Sequence, residues 1–325
     1  MFEILIPRYN EPEALVGRLL DSISMQVGID ISKDIRVRIA DDGSDELLSG
    51  AFLRKYPFDI QYMALAHRGL SATRNALLDA CEGEYFMCCD ADDSFFNLLA
   101  IRGIFDNLKQ APFDVMISPF FEEYLLDDGT MGFHLRQNVQ PFVHGKVFRL
   151  NYIRENGIRW CDRFPAGGDT VFLDPAIKLT EHAAYQSMPF YIWRWNPSSI
   201  VRSENGFIEK LPLRLDAHME TIDIYLKRGR RDLAVEIAAR TLIGAYFTMA
   251  RQDWRNYDRM DIREAAAEIL RRCIRDYGDL YSESDPEFRE TLLQGYVKNY
   301  LKRGLTLPTV SLEEWMSSFD DSREG

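Results

Sequence analysis

The chain has 325 residues, 46% of them hydrophobic and 28% charged, which is long enough for one large core with an appendage and balanced as in water-soluble globular proteins. Its 39 basic residues stand against 51 acidic ones, and the resulting formal charge of −12 disfavours phosphate backbones and anionic membranes as bulk partners. The five cysteines form no C-x-x-C pair, so a reducing, cytoplasmic compartment is the simplest expectation for them.

FEILIP at 2–7 follows Met1 with no basic n-region, so it reads as a buried strand rather than a secretory signal. Pro12 fits the first turn of a helix that carries Leu15, Val16, Leu19, Leu20 and Ile23 at helical spacing. In DIRVRIADDGS, Ile35, Val37 and Ile39 alternate with Arg36 and Arg38, which predicts a second strand ending in an Asp-Asp-Gly turn. FDIQYMAL at 58–65 is a third strand candidate, and Ser71 is placed to cap a helix containing Leu77, Leu78 and Cys81. The continuous apolar run YFMCC at 85–89 predicts a central parallel strand covered on both faces. SFFNLLAIRGIFDNLKQ then reads as helix and FDVMISPF at 113–120 as strand.

This alternation predicts an open, mostly parallel α/β sheet flanked by helices, whose ligands bind beyond the carboxyl ends of the strands. Three of those ends carry unusual residues: PRYNE at 7–11, ADDGS at 40–44 and DADDS at 90–94. Beyond about residue 206 the pattern changes to amphipathic helices, so 1–205 is expected as the α/β domain and 206–325 as an all-helical appendage. Its longest apolar window, TLIGAYFTMA at 241–250, is too short to span a bilayer.

Asp90-Ala91-Asp92 has the form D-x-D, hard oxygen ligands suited to Mg²⁺ or Mn²⁺ carrying a diphosphate; the plainer alternative is that Asp92, Asp93 or Ser94 caps the next helix. Asp41-Asp42-Gly43-Ser44 is either an ordinary Asx turn or a carboxylate receiving the imide N–H of a uracil. Arg74, with Arg68 and His67 nearby, is placed in the first turn of its helix, where basic groups and free N–H groups suit a phosphate. In Gly167-Gly168-Asp169-Thr170, Asp169 is a general-base candidate or a helix N-cap, with Asp162 and Glu181 as the alternative bases. Trp193 and Trp195 in FYIWRWNPSS stack on a sugar or fill the core. The histidines show no paired spacing for zinc.

In order along the chain, ILIPRYNE, IADDGSDE, GLSATRNALLDACEGEYFMCCDADD, HGKVFRLNYIRENGIRW and FYIWRWNPSSIVRS resemble the family 2 glycosyltransferases of GT-A fold, over residues 2 to about 203. The resemblance implies a Rossmann-like sheet and an inverting transfer of sugar from a nucleotide-diphosphate sugar, most simply a UDP-sugar, to a hydroxyl acceptor such as a glycan or other polymer. It implies that Pro7, Tyr9 and Asp42 bind the base and that Arg74 lies near base or diphosphate. Asp90, with Ala91 beside it, contacts ribose or metal, and Asp92 is the direct ligand of Mn²⁺ or Mg²⁺. Asp169 is the catalytic base, and Ser199 or Arg202 assists at the leaving diphosphate. The family usually shows Glu-Asp where this chain has Gly168-Asp169, which puts the acceptor contacts of that Glu in doubt. Three other readings stay open: a nucleotidyltransferase, which would want a Gly-rich loop that PRYNEPE does not offer; an idle nucleotide-sugar binding module; and a glycosyltransferase acting on modified nucleic acid, which the net charge disfavours. The helical tail matches no part of this pattern and is a candidate for homo-oligomer formation.

Overall fold

The structure, a computed structural model, describes residues 1–137, 142–164, 168–197, 209–250, 254 and 257–319. It divides into two compact units, Met1–Ser199 and Ile200–Gly325. Among the described residues the first unit holds two sheets. The larger has the strand order β10-β6-β9-β4-β1-β2-β3, built from β1 (Phe2–Arg8), β2 (Ile35–Asp41), β3 (Asp59–Ala64), β4 (Tyr85–Cys88), β6 (Val115–Ile117), β9 (Lys146–Arg149) and β10 (Ala183–Tyr185). The smaller runs β5-β11-β7-β8, from β5 (Ser94–Phe95), β7 (Phe120–Leu125), β8 (Met131–Arg136) and β11 (Tyr191–Trp193).

β1 pairs in parallel with β2 and β4, and β2 with β3, so the ends at residues 8, 41 and 88 open on the same side. β1 is buried along its whole length, as a strand covered on both faces must be. Ile4, Ile6, Val37, Ile39, Met87 and Cys89 face a core made with α1 (Glu13–Ser24) and α5 (Ala100–Gln110). Leu5, Ala40, Phe86 and Cys88 face the opposite core, with α4 (Leu70–Ala80), α6 (Leu150–Glu155) and α7 (Asp169–Lys178). The neighbouring thiols Cys88 and Cys89 therefore point to opposite faces, as a period of two requires. Each large apolar side chain so buried contributes about 1.5–3 kcal/mol.

Four expectations need correction. β4 is central, but its neighbour β9 runs antiparallel to it, because hydrophobic periodicity carries no strand direction. The segment read as helix from Ser94 opens instead with the short strand β5, and its helix starts at Ala100. The strand expected over 113–120 is split into β6 and the start of β7, in different sheets. Ser71 does not cap α4: Gly69 holds that position at φ +92°, and the Ser71 hydroxyl donates to the Phe164 carbonyl at 2.5 Å.

The second unit consists, in its described part, of α8 (Leu211–Lys227), α9 (Arg231–Met249), α10 (Met260–Glu283), α11 (Pro286–Lys302) and α12 (Leu312–Ser317). α9 packs against α8, α10 and α11, burying Ala238, Leu242, Ile243 and Phe247. No helix among the described residues is long and apolar enough to cross a membrane.

Candidate active site

The loops after β1, β2 and β4 converge. Pro7 is buried in β1 beside Ala40, and Tyr9 projects past the strand end, 48% exposed. The Tyr9 ring stacks on His67 at 4.3 Å, a flat aromatic surface at the rim of the crevice. The Asp-Asp pair divides its work. Asp41 is fully buried and accepts from Arg8, from Tyr62 Oη at 2.9 Å and from the Ser44 amide at 2.7 Å. Burial pushes its carboxyl up, but those donors outweigh burial and hold it below its ordinary value. Asp42 accepts from the amides of Arg68 and Gly69, both at 2.9 Å, and so fixes the entry to α4. Gly43, at φ +78°, makes that approach possible: a Cβ there would lie 2.8 Å from the His67 amide nitrogen.

Arg74 lies at the start of the second turn of α4 rather than in its first, because the helix begins two residues earlier than a Ser71 cap implies. It is 3% exposed, and it donates to Asp90 Oδ1 at 2.9 Å and to Asp169 Oδ1 at 2.5 Å. Burial works against its charge, yet Asp169 and Asp90 prevail and raise its pKa. Asp90 responds in kind: burial pushes it up, but the Arg74 guanidinium outweighs this and holds the carboxyl low. Asp169 opens α7, where the helix dipole favours a negative charge. Gly168 holds the N-cap position, not Asp169, whose carboxylate receives Arg74 and, at 3.3 Å, Trp160 Nε1. Trp160 is anchored by Asn75 through its backbone and stacks on Phe172 at 3.7 Å.

The D-x-D loop caps no helix either. Ala91 is buried, and Asp92 accepts from Asn196 Nδ2 at 2.6 Å. Asp93 is fully buried, accepting from Tyr191 Oη at 2.5 Å and from the Arg194 amide at 2.8 Å, while Tyr191 Oη accepts from the Asp90 amide at 3.0 Å. β11 and the residues after it therefore fix the loop. Burial raises the carboxyl of Asp92, and burial together with Asp90 and Asp92 raises that of Asp93 well above its ordinary value. Glu11, pushed up to about 7 by burial, adds a further carboxyl facing Asp92 and Asp90. Surplus negative charge in a confined space of oxygen ligands is what a divalent cation relieves, and the residues present fit one.

Sequence reasoning singled out Asp42, Arg74, Asp90, Asp92 and Asp169, read Asp93 only as a possible helix cap, and missed Tyr191, Lys146 and His144. Lys146 is fully buried in β9, and burial pushes its ammonium down to about 7. His144, 5% exposed, lies with its ring nitrogens near Asp90 and Asp93, and burial pushes it down to about 4, so the ring is neutral. Position 145, a glycine between two such residues, is the one local signal, since its φ of +67° admits little else. Of the alternative bases, Asp162 is held by Asn75 Nδ2 at 2.6 Å, and Glu181 is exposed beyond α7. Trp193 packs on Phe142 and His144, so it belongs to the aromatic cluster beneath the loop. Gly167, Ser199 and Arg202 lie outside the described residues.

Residues 3–156 match the family model described as glycosyl transferase family 2. Among curated proteins, the minor teichoic acid biosynthesis protein GgaB of Bacillus subtilis is 29% identical over 127 residues, and a cholesterol galactosyltransferase of Borreliella burgdorferi is 26% identical over 125. Each alignment covers 38% of this chain, which spans only 14% and 33% of the length of those relatives. A crystal structure of S. aureus TarS 1–349 in complex with UDP-GlcNAc superposes with a TM-score of 0.66 at 16% identity, covering 94% of this chain and 92% of that one. At that identity the likeness is one of fold.

Proposed function

We infer that this chain, which belongs to glycosyl transferase family 2 through residues 3–156, moves a sugar from a UDP-sugar to a hydroxyl acceptor with inversion at the anomeric carbon. The observation that carries the reading is Arg74, one guanidinium bonded to the D-x-D carboxylate Asp90 on one side and to Asp169 on the other. It holds the donor side and the candidate base within one side chain's reach. Tyr9, Pro7 and Asp42 receive the base, with the exposed Tyr9 ring as a stacking surface. Asp90 and Asp92 hold a divalent cation, Mn²⁺ or Mg²⁺, which when bound neutralises charge on the leaving diphosphate. Asp169 accepts the proton of the acceptor hydroxyl as that oxygen bonds to the anomeric carbon and the bond to the diphosphate oxygen breaks. Ala91 lines the ribose side, and Ser199 and Arg202 assist at the diphosphate. The buried free thiols favour a reducing, cytoplasmic setting.

Asp169→Asn keeps the shape of the side chain and removes its basicity. UDP release from a panel of UDP-sugars in Mn²⁺ should fall ~10²–10⁴-fold, with UDP affinity by calorimetry unchanged. A folded variant that turns over at the wild-type rate would remove Asp169 from the mechanism.

A further inference from the structure

His144 is a polar ring in an apolar stack. It lies face to face with Tyr191, centroids 5.2 Å apart and planes at 16°, and with Trp193 at 5.4 Å and 27°, while Phe120 meets it edge-on at 5.3 Å. A phenylalanine would satisfy those contacts. The chain instead places two nitrogens there, and Nδ1 is buried without a hydrogen-bond partner. Leaving a buried polar atom unsatisfied costs about 1–3 kcal/mol, so the vacancy at Nδ1 calls for a ligand.

The ring is also held in place. Gly145 follows it in left-handed backbone, where a Cβ would stand 2.6 Å from the Ser118 carbonyl oxygen, and the Gly145 carbonyl accepts from the Ser118 amide at 2.8 Å. Nδ1 lies 3.9 Å from Asp93 Oδ2, and Nε2 lies 4.0 Å from Asp90 Oδ2. Both separations are too long for a hydrogen bond. An imidazole binds one cation through one nitrogen, and one ring nitrogen of His144 and one carboxylate oxygen each of Asp90 and Asp93 lie within 4.8 Å of one another, a spacing within reach of donors about 2.1 Å from one shared cation. Asp93 Oδ2 already accepts from Tyr191, but a carboxylate oxygen offers a second lone pair, and the Tyr191 bond fixes its direction as outer-sphere partners of metal ligands do.

We infer that His144 is a nitrogen ligand of the divalent cation at the end of β4, meeting it beside Asp90 and Asp93, so that the site is a mixed oxygen and nitrogen centre selecting Mn²⁺ over Mg²⁺. The inference rests on the reading of a donor-site cation given above. Mg²⁺ favours oxygen and water, whereas imidazole suits the transition metals, so one nitrogen in the set shifts the preference.

The test uses the full chain, stripped of metal and titrated with Mn²⁺ alone and then with Mn²⁺ and UDP. Electron spin-echo spectroscopy of the bound Mn²⁺, on protein with natural and with ¹⁵N-labelled histidine, reports a directly coordinated imidazole without any mutation. Label-dependent nitrogen modulation is expected, lost in His144→Phe, where Mn²⁺ binds about tenfold more weakly or worse and Mg²⁺ affinity changes less. Bound Mn²⁺ with no histidine nitrogen signal, or a signal that persists in His144→Phe, overturns the inference and leaves the donor-site cation standing. No Mn²⁺ binding with or without UDP overturns both.

Discussion

Arg74 carries one positive charge against two carboxylates, buried where water screens little. Its planar fork lets two nitrogens meet Asp90 and Asp169 in fixed directions, which the point charge of a lysine does not reproduce. Arg74→Lys should therefore keep the fold and most UDP affinity while lowering turnover by about 10²-fold, because the base loses its orientation rather than its partner charge. Initial rates set against UDP calorimetry separate the two effects, and an equal loss in both would make Arg74 a donor contact alone. Arg74→Ala is the harsher change, about 3–5 kcal/mol of stability, since it leaves Asp90 and Asp169 without their counter-ion. At this scale the sequence was a good guide where a residue's partner is local: Asp41 accepts from the Ser44 amide within its own Asp-Asp-Gly-Ser turn. It offered Asp93 only a helix-capping role and was silent on His144, because the two come from segments far apart in the chain and carry no shared spacing.

The element on which the acceptor side turns is the start of α7. Gly168 stands where the family usually has Glu, and the structure gives a reason why no side chain fits: a Cβ there would lie 2.7 Å from Ser71 Oγ, which is itself tied to the Phe164 carbonyl. Gly168→Ala should cost about 1–3 kcal/mol by overpacking, and adding Ser71→Ala should return part of it. A double-mutant cycle from thermal melts measures the coupling; strictly additive losses would show that the two residues do not meet. Restoring the family's Glu by Gly168→Glu meets the same obstruction. The main sheet was legible because β1, β2 and β4 carry long buried runs. The second sheet was not. β5 is only Ser94–Phe95, too short to hold a period, and it exists by pairing with β11, far downstream. β8 is exposed along most of its length, so no alternation marks it.

At the scale of the molecule, each unit has its own apolar core, and we propose that residues 1–205 carry the donor chemistry and that the helical tail serves assembly or acceptor choice. The tail carries a pH mark of its own. His218 is half-buried on α8, with Nδ1 3.0 Å from Thr241 Oγ1. Burial, and then the nearby Arg214, pushes its pKa down to about 4 from an ordinary 6.5. The unfolded chain takes up that proton below about 6.5, and the folded chain resists it until about 4. The stability this neutral ring contributes is thus intact above 6.5 and is lost as pH falls through that window. An NMR titration should place the His218 midpoint near 4, and His218→Gln should flatten the acid side of the melting curve; a midpoint near 6.5 would refute both. The thiols leave a practical legacy. Cys81, Cys88, Cys89 and Cys273 are buried; burial drives the thiols of Cys81, Cys88 and Cys273 up to about 12 and that of Cys89 well above its ordinary value, so they resist alkylation in the native state. Cys161 alone among the cysteines is half-buried, and it adjoins Trp160, whose indole donates to Asp169. Wild-type protein therefore offers a thiol-reactive dye one favoured address, next to the candidate base, from which the arrival of an acceptor can be watched as a change in colour or brightness.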